Sequence, residues 1–147
     1  MIIPAQLIHL DGIVSIENSA FNKPWTKNQF MNDIQSELDS ENWVYVINEL
    51  VTGYIFGWII QGEFHLNNIA VQPGYLLRSI GKNLIQHIIA RVILRNVGVI
   101  LLEVSAENIP ARKCYQSLGF NQMGIWKDYY SKGDDAILYN LELNTDG

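Results

Sequence analysis

The chain has 147 residues, 48% hydrophobic and 17% charged, which predicts one folded domain over residues 1–147 and excludes a disordered chain. Its charge, 10 basic minus 15 acidic or -5, lacks the basic excess of a nucleic-acid binder. A single cysteine, Cys114, excludes an internal disulfide framework and a cysteine-based metal cluster.

Met1-Ile2-Ile3-Pro4 has no basic segment leading into a long apolar run, so no secretory signal is expected. No stretch reaches the ~18 uninterrupted apolar residues of a membrane span. Together with the lone cysteine, this predicts a cytoplasmic protein that meets neither membrane nor nucleic acid. Residues 2–8 read as a first strand. Leu10, Ile13, Val14 and Phe21 form a helical stripe. Thr26 and Gln29 make a capping box, with Trp25 and Phe30 at the staple positions, so a second helix starts at Thr26 and runs past Ile34 to Leu38. Residues 43–49 and 53–61 are rich in β-formers, and Leu50-Val51-Thr52 with Gly53 reads as the turn of an antiparallel hairpin. A turn at Gln61-Gly62 leads to a strand over 63–71, ended by Pro73.

Residues 80–94 carry the clearest amphipathic pattern, with Ile80, Leu84, Ile85, Ile88, Ile89 and Val92 on one face and Gly98 as the stop. The apolar run 99–104 suits a strand covered on both faces. Asn108 caps a further helix with Pro110 in its first turn and Gly119 at its end. Strands near 120–127 and 136–143 complete the pattern. This β/α alternation predicts a mixed sheet flanked by helices.

Two places invite chemistry. The segment from Val71 to Lys82 runs from strand to loop to helix start, where free amides and the helix dipole favour an anion. Gly81 permits close backbone approach, and Arg78 and Lys82 add positive charge; alternatively Gly81 eases packing and the two cations are simply solvated. Glu103 lies at the end of an apolar strand. It is either an exposed strand-end acid or, if buried, a base with a raised pKa. Tyr115 is either a core tyrosine or a proton donor. Cys114 reads as a small buried side chain. His9, His65 and His87 are scattered without metal-ligand spacing, so no metal is expected.

The motifs in these segments resemble those of the GNAT superfamily of N-acetyltransferases. The frame Val71-x-Pro73-x-Tyr75 and Gly81 are similar to its acetyl-CoA loop, with Leu76 and Ser79 departing from the usual Gln or Arg and Gly. Asn67-Asn68-Ile69-Ala70-Val71, Glu103-Val104, Asn108 and Tyr115-Gln116-Ser117-Leu118-Gly119-Phe120 match further family segments. Phe21-x-x-Pro24-Trp25-Thr26 and Asp128-Tyr129-Tyr130 resemble the RimI branch, which acetylates the N-terminal alanine of a small-subunit ribosomal protein.

The resemblance implies a mixed, mostly antiparallel sheet of about seven strands with about four helices. It implies that acetyl-CoA is held by Ile69, Ala70, Val71, Leu77, Arg78, Ser79, Ile80, Gly81, Lys82 and Asn108. Glu103 is then the base and Tyr115 the acid, while Trp25, Tyr129 and Tyr130 line the acceptor groove. The implied acceptor is a basic N-terminal peptide of a ribosomal protein, and the implied state a monomer or weak dimer. A lysine or polyamine acceptor, or a weakly catalytic CoA-binding module, are the alternatives.

Overall fold

A computed structural model describes residues 1–143, apart from the side chains of Leu76, Leu77 and Arg78. The elements follow in the order β1 (Ile2–Pro4), α1 (Leu10–Ala20), α2 (Lys27–Gln35), β2 (Ser40–Ile47), β3 (Leu50–Ile60), β4 (Glu63–Val71), α3 (Ile80–Ile93), β5 (Val99–Ser105), α4 (Ile109–Ser117), β6 (Asn121–Ser131) and β7 (Asp134–Glu142). Seven strands form one sheet in the order β1-β2-β3-β4-β5-β7-β6. Every pairing is antiparallel except that between β4 and β5.

Both faces of the central strands are covered, which is why β3 reads as a nearly continuous apolar run. Alternation along β3 sends Tyr54 and Phe56 to one face, where they meet Leu10, Ile13 and Ile16 of α1 and Phe30 of α2. Ile55 points to the other face and joins Ile80, Leu84, Ile85 and Ile88 of α3. The first face is an aromatic cluster: Phe30 packs edge-on against Tyr54 at 5.6 Å and Phe56 at 5.2 Å between ring centroids. Fully burying a side chain of this size contributes about 1.5–3 kcal/mol.

Two glycines permit close packing of these layers. A Cβ at Gly53 would lie 2.9 Å from Ile80 Cγ2, and one at Gly57 would lie 2.1 Å from Phe64 Cζ and 2.7 Å from the His65 carbonyl oxygen. Gly53 therefore serves the seat of α3 and not the hairpin turn expected at 50–53. The turn falls at Asn48 and Glu49, both left-handed with φ of 50° and 68°, and Leu50 to Thr52 belong to β3.

Other boundaries differ for equally local reasons. β1 stops at Pro4 because residues 7–9 wind into one turn of 3-10 helix, closed by the Gln6 amide donating to His9 Nδ1 at 3.0 Å. α2 begins after Thr26 with the expected capping box: Gln29 N–H donates to Thr26 Oγ1 at 3.2 Å, and Thr26 N–H to Gln29 Oε1 at 2.7 Å. It ends at Gln35, leaving Leu38 exposed. After α3 the left-handed residue is Asn96 and not Gly98. No helix among the described residues is long and apolar enough to cross a membrane.

Candidate active site

The site is made by a split in the sheet. β4 and β5 pair only at Glu63 with Val99, Phe64 with Ile100 and His65 with Leu101. Beyond these pairs β4 stays bonded to β3 as far as Val71, and β5 to β7 as far as Ser105. The strands part, so the β5-facing edge of β4 keeps backbone N–H and C=O groups without ladder partners. A cleft of about 550 Å³ opens there, walled by β4, β5, the start of α4 and the connection between α1 and α2.

A bulge shapes the β4 wall. Phe56 pairs with Asn68 and Gly57 with Leu66, so Asn67 is an extra residue and turns towards the cleft. Ile69 also lines the cleft. Ala70 belongs to the core on the α1 side, and Val71 and Ile80 pack into the α3 core. Those three have only backbone to offer a ligand.

Ser79 precedes the first residue of α3 in the left-handed conformation, φ 58° and ψ 22°, and its hydroxyl caps nothing. This is the position where the sequence motif usually has glycine, and the backbone explains why. Among the described side chains, a Cβ on Gly81 would touch Val71 Cγ2 alone, at 3.6 Å. Lys82 is exposed and close enough to α4 for its charge to act on the Cys114 thiol. Leu77 and Arg78 lie outside the described side chains.

Glu103 is exposed, not buried. Alternation gives the buried face of β5 to Leu102 and Val104, and turns Glu103 to the cleft side. Its neighbour is Tyr129, whose hydroxyl donates to Glu103 Oε2 at a long 3.4 Å. Tyr129 and Tyr130 reach it through a wide bulge. Trp126 pairs with Ala136 and Ser131 with Asp134, so residues 127–130 face Asp135 alone. Asp128 makes this possible with a left-handed φ of 54°, which Asp and Asn tolerate better than other residues. Its Oδ1 accepts from Gly133 N–H at 2.7 Å, and its own N–H donates to Asp135 Oδ1 at 2.9 Å. The Glu103 charge raises the Tyr129 pKa, and burial with Glu103 pushes that of Tyr130 up to about 12.

Tyr115 stands across the cleft on α4 and is 4% exposed. Its ring packs on Phe120 at 5.5 Å and Tyr139 at 6.1 Å. Burial, then the Cys114 thiol and the Tyr130 phenol, push its pKa well above the usual tyrosine value. The hydroxyl therefore keeps its proton. α4 is pinned by Arg112 Nε and Gln116 Nε2, each donating to Tyr139 Oη at 3.2 Å, and by Arg112 Nη1 donating to the Ala106 carbonyl at 3.0 Å. Asn108 caps α4 by accepting from Ala111 N–H at 3.3 Å and also lines the cleft.

The fold thus brings Trp25, Ile69, Glu103, Asn108, Tyr115 and Tyr130 to one cleft. Tyr129 joins through its contact with Glu103, while the α3 start lies beyond the cleft's lining. Sequence reasoning missed Glu17, a buried acid at the cleft's base. The available signal was an acidic residue inside the apolar stripe of α1, four residues after Ile13.

Residues 10–120 match the acetyltransferase (GNAT) family. The ribosomal protein bS18-alanine N-acetyltransferase of Escherichia coli K12 is 33% identical over 138 residues, covering 92% of each chain. The enzyme of that name from Haemophilus ducreyi is 30% identical, covering 89% of this chain and 92% of its own. The crystal structure of the Escherichia coli ribosomal-protein-S18-alanine N-acetyltransferase superposes with a TM-score of 0.91 at 31% identity, over 100% of this chain and 96% of that one. The parted strands, the superposition and the sequence match agree, and the chain belongs to the GNAT family of acetyltransferases.

Proposed function

We propose that this acetyltransferase moves the acetyl group of acetyl-CoA to the N-terminal alanine amine of a ribosomal protein in the cytoplasm. The observation that carries this reading is the placement of Glu103 on β5 and Tyr115 on α4 around the gap where β4 leaves β5. The relatives named for that acceptor span nearly the whole chain.

Acetyl-CoA fits the gap by the chemistry of its walls. The free edge of β4 at Ile69 to Val71 supplies amides and carbonyls for the pantetheine amides and the thioester oxygen. Asn108 contacts the same arm. The amides around Leu77 to Lys82, with the charges of Arg78 and Lys82, take the pyrophosphate at the start of α3.

The amine enters between Trp25 and Tyr129-Tyr130 as an ammonium. Glu103, whose exposed carboxylate reaches the groove directly or through water, takes its proton. The nitrogen lone pair then attacks the thioester carbonyl. The C–N bond forms, the oxygen takes the electron pair, and backbone N–H groups of β4 stabilise it. Collapse breaks the C–S bond, the departing thiolate takes the Tyr115 proton, and the cationic nitrogen gives up its second proton, which restores the Tyr115 phenol. A free thiol has a pKa of about 8.5, below that of the phenol, so the Tyr115 proton moves only as the C–S bond breaks and the second nitrogen proton replaces it. Holding amine and thioester together supplies most of the acceleration.

The test is incubation with acetyl-CoA and a basic peptide that begins with alanine and carries an internal lysine. Tandem mass spectrometry should place one acetyl group on the α-amine. Acetyl on the lysine alone, or on free polyamine and not on the peptide, would refute the acceptor.

A further inference from the structure

Glu17 is 1% exposed, and among the described residues no cation pairs with it. A buried carboxylate costs several kcal/mol unless its oxygens are satisfied. An apolar residue here would simply continue the stripe of α1. Glu17 instead gathers donors from three separate parts of the chain. The Tyr54 hydroxyl on β3 and Asn68 Nδ2 on β4, at 2.9 Å, donate to Oε1; the backbone N–H of Trp25 donates to Oε2 at 2.8 Å.

Two of those donors belong to residues that line the cleft, Trp25 and Asn68. The connection carrying Trp25 has no helix or strand of its own between Ala20 and Lys27. Its N–H bond to Glu17 ties it to β4, and the ring leans on Phe30 at 5.2 Å. We propose that Glu17 is a positioning residue for the acceptor: its carboxylate fixes the Trp25 wall of the cleft against β4, the strand that orients the thioester. This rests on the reading of Trp25 as part of the acceptor groove.

The donor inventory makes the idea sharp. The Tyr54 hydroxyl can reverse from donor to acceptor, and the Asn68 carboxamide can turn over, but the Trp25 backbone N–H can only donate. A glutamine at position 17 therefore keeps its oxygen for Trp25 and offers its NH₂ to Tyr54 and Asn68. A methionine fills the space and holds nothing.

Steady-state kinetics with acetyl-CoA and an alanine-initiated peptide, beside calorimetric titration with acetyl-CoA, test this. Glu17→Met should raise the peptide KM about fivefold, the size typical of contacting residues, with acetyl-CoA affinity unchanged. Glu17→Gln should restore a KM near that of the natural protein. In a Trp25→Ala background, which keeps the N–H but lacks the ring, Glu17→Met should add nothing. If the methionine variant does not fold, Glu17→Ala serves the same comparison. Equal loss of acetyl-CoA affinity, or the full rise in both backgrounds, would overturn the proposal. If Trp25→Ala alone leaves the peptide KM unchanged, the acceptor-groove reading fails and Glu17's role with it. If Trp25→Ala raises the KM and Glu17→Met does not, only the role of Glu17 fails.

Discussion

Replacing Ser79 by glycine should stabilise this protein and tighten its hold on acetyl-CoA. Ser79 sits at φ 58° just before α3, a conformation that costs an L-residue roughly 1–2 kcal/mol. Glycine removes that cost but adds about 0.5–1 kcal/mol of unfolded-state freedom. The serine hydroxyl makes no capping bond, so its loss subtracts little. The net gain is about 0.5–1 kcal/mol, which in a chain of this length raises Tm by about 1–4 °C. Thermal unfolding followed by circular dichroism reads this shift. Ser79→Ala is the control: it keeps the Cβ strain and should stay within about 0.5 kcal/mol of the natural protein. Calorimetry should also show a lower Kd for acetyl-CoA in the glycine variant, because the backbone can approach the pyrophosphate more closely. A glycine variant less stable than the natural protein, or an alanine variant that gains as much, would refute the assignment of strain to this residue.

Three further outcomes follow from the geometry. Tyr115→Phe should lower kcat about 100-fold, the lower end of general-acid effects, while acetyl-CoA affinity by calorimetry stays nearly constant because the ring and its packing remain. Gly57→Ala should destabilise by about 1–3 kcal/mol in denaturant titration, since the new Cβ would overlap the fully buried Phe64 ring and the His65 carbonyl. His87 packs edge-on at 4.3 Å from Trp43, and burial first, then Arg91, lowers its pKa below the ordinary 6.5. The unfolded chain therefore binds the proton first as pH falls, so stability is full above 6.5 and declines below it towards the folded value. Urea titrations across that window should show a smaller decline in His87→Asn than in the natural protein.

Much of the fold was legible because its local signals agree. The capping box at Thr26 and Gln29, the stripe of α3 and the Pro73 strand end each mark one boundary and occur where expected. Two boundaries differ because a glycine is not where the chain turns. Gly53 drew the hairpin turn towards itself, yet its missing side chain makes room for Ile80, and Asn48 and Glu49 carry the turn. Gly98 drew the end of α3, but Asn96 makes the left-handed step.

The candidate site was legible where motifs are continuous and opaque where the chain doubles back. Asn108 to Phe120 is one segment, so its polar residues could be read together. The apolar run around Glu103 leaves its burial open, and strand alternation decides it by turning the carboxylate away from Leu102 and Val104 to the exposed side. Tyr129 and Tyr130 meet Glu103 only through the bulge opposite Asp135, which no spacing rule announces. Glu17 depends on partners 8, 37 and 51 residues away, so its environment exists only after the sheet has formed.

The proposed transfer crosses the gap between β4 and β5 directly, with no acetyl-enzyme. The only cysteine, Cys114, is half-buried, and burial raises its thiol pKa against the pull of Lys82, so it is a poor nucleophile. Initial velocities measured while both acetyl-CoA and an alanine-initiated peptide are varied test this most directly. Intersecting double-reciprocal lines, the pattern of a complex holding both substrates at once, are predicted. Parallel lines, the pattern of a covalent intermediate, would contradict it.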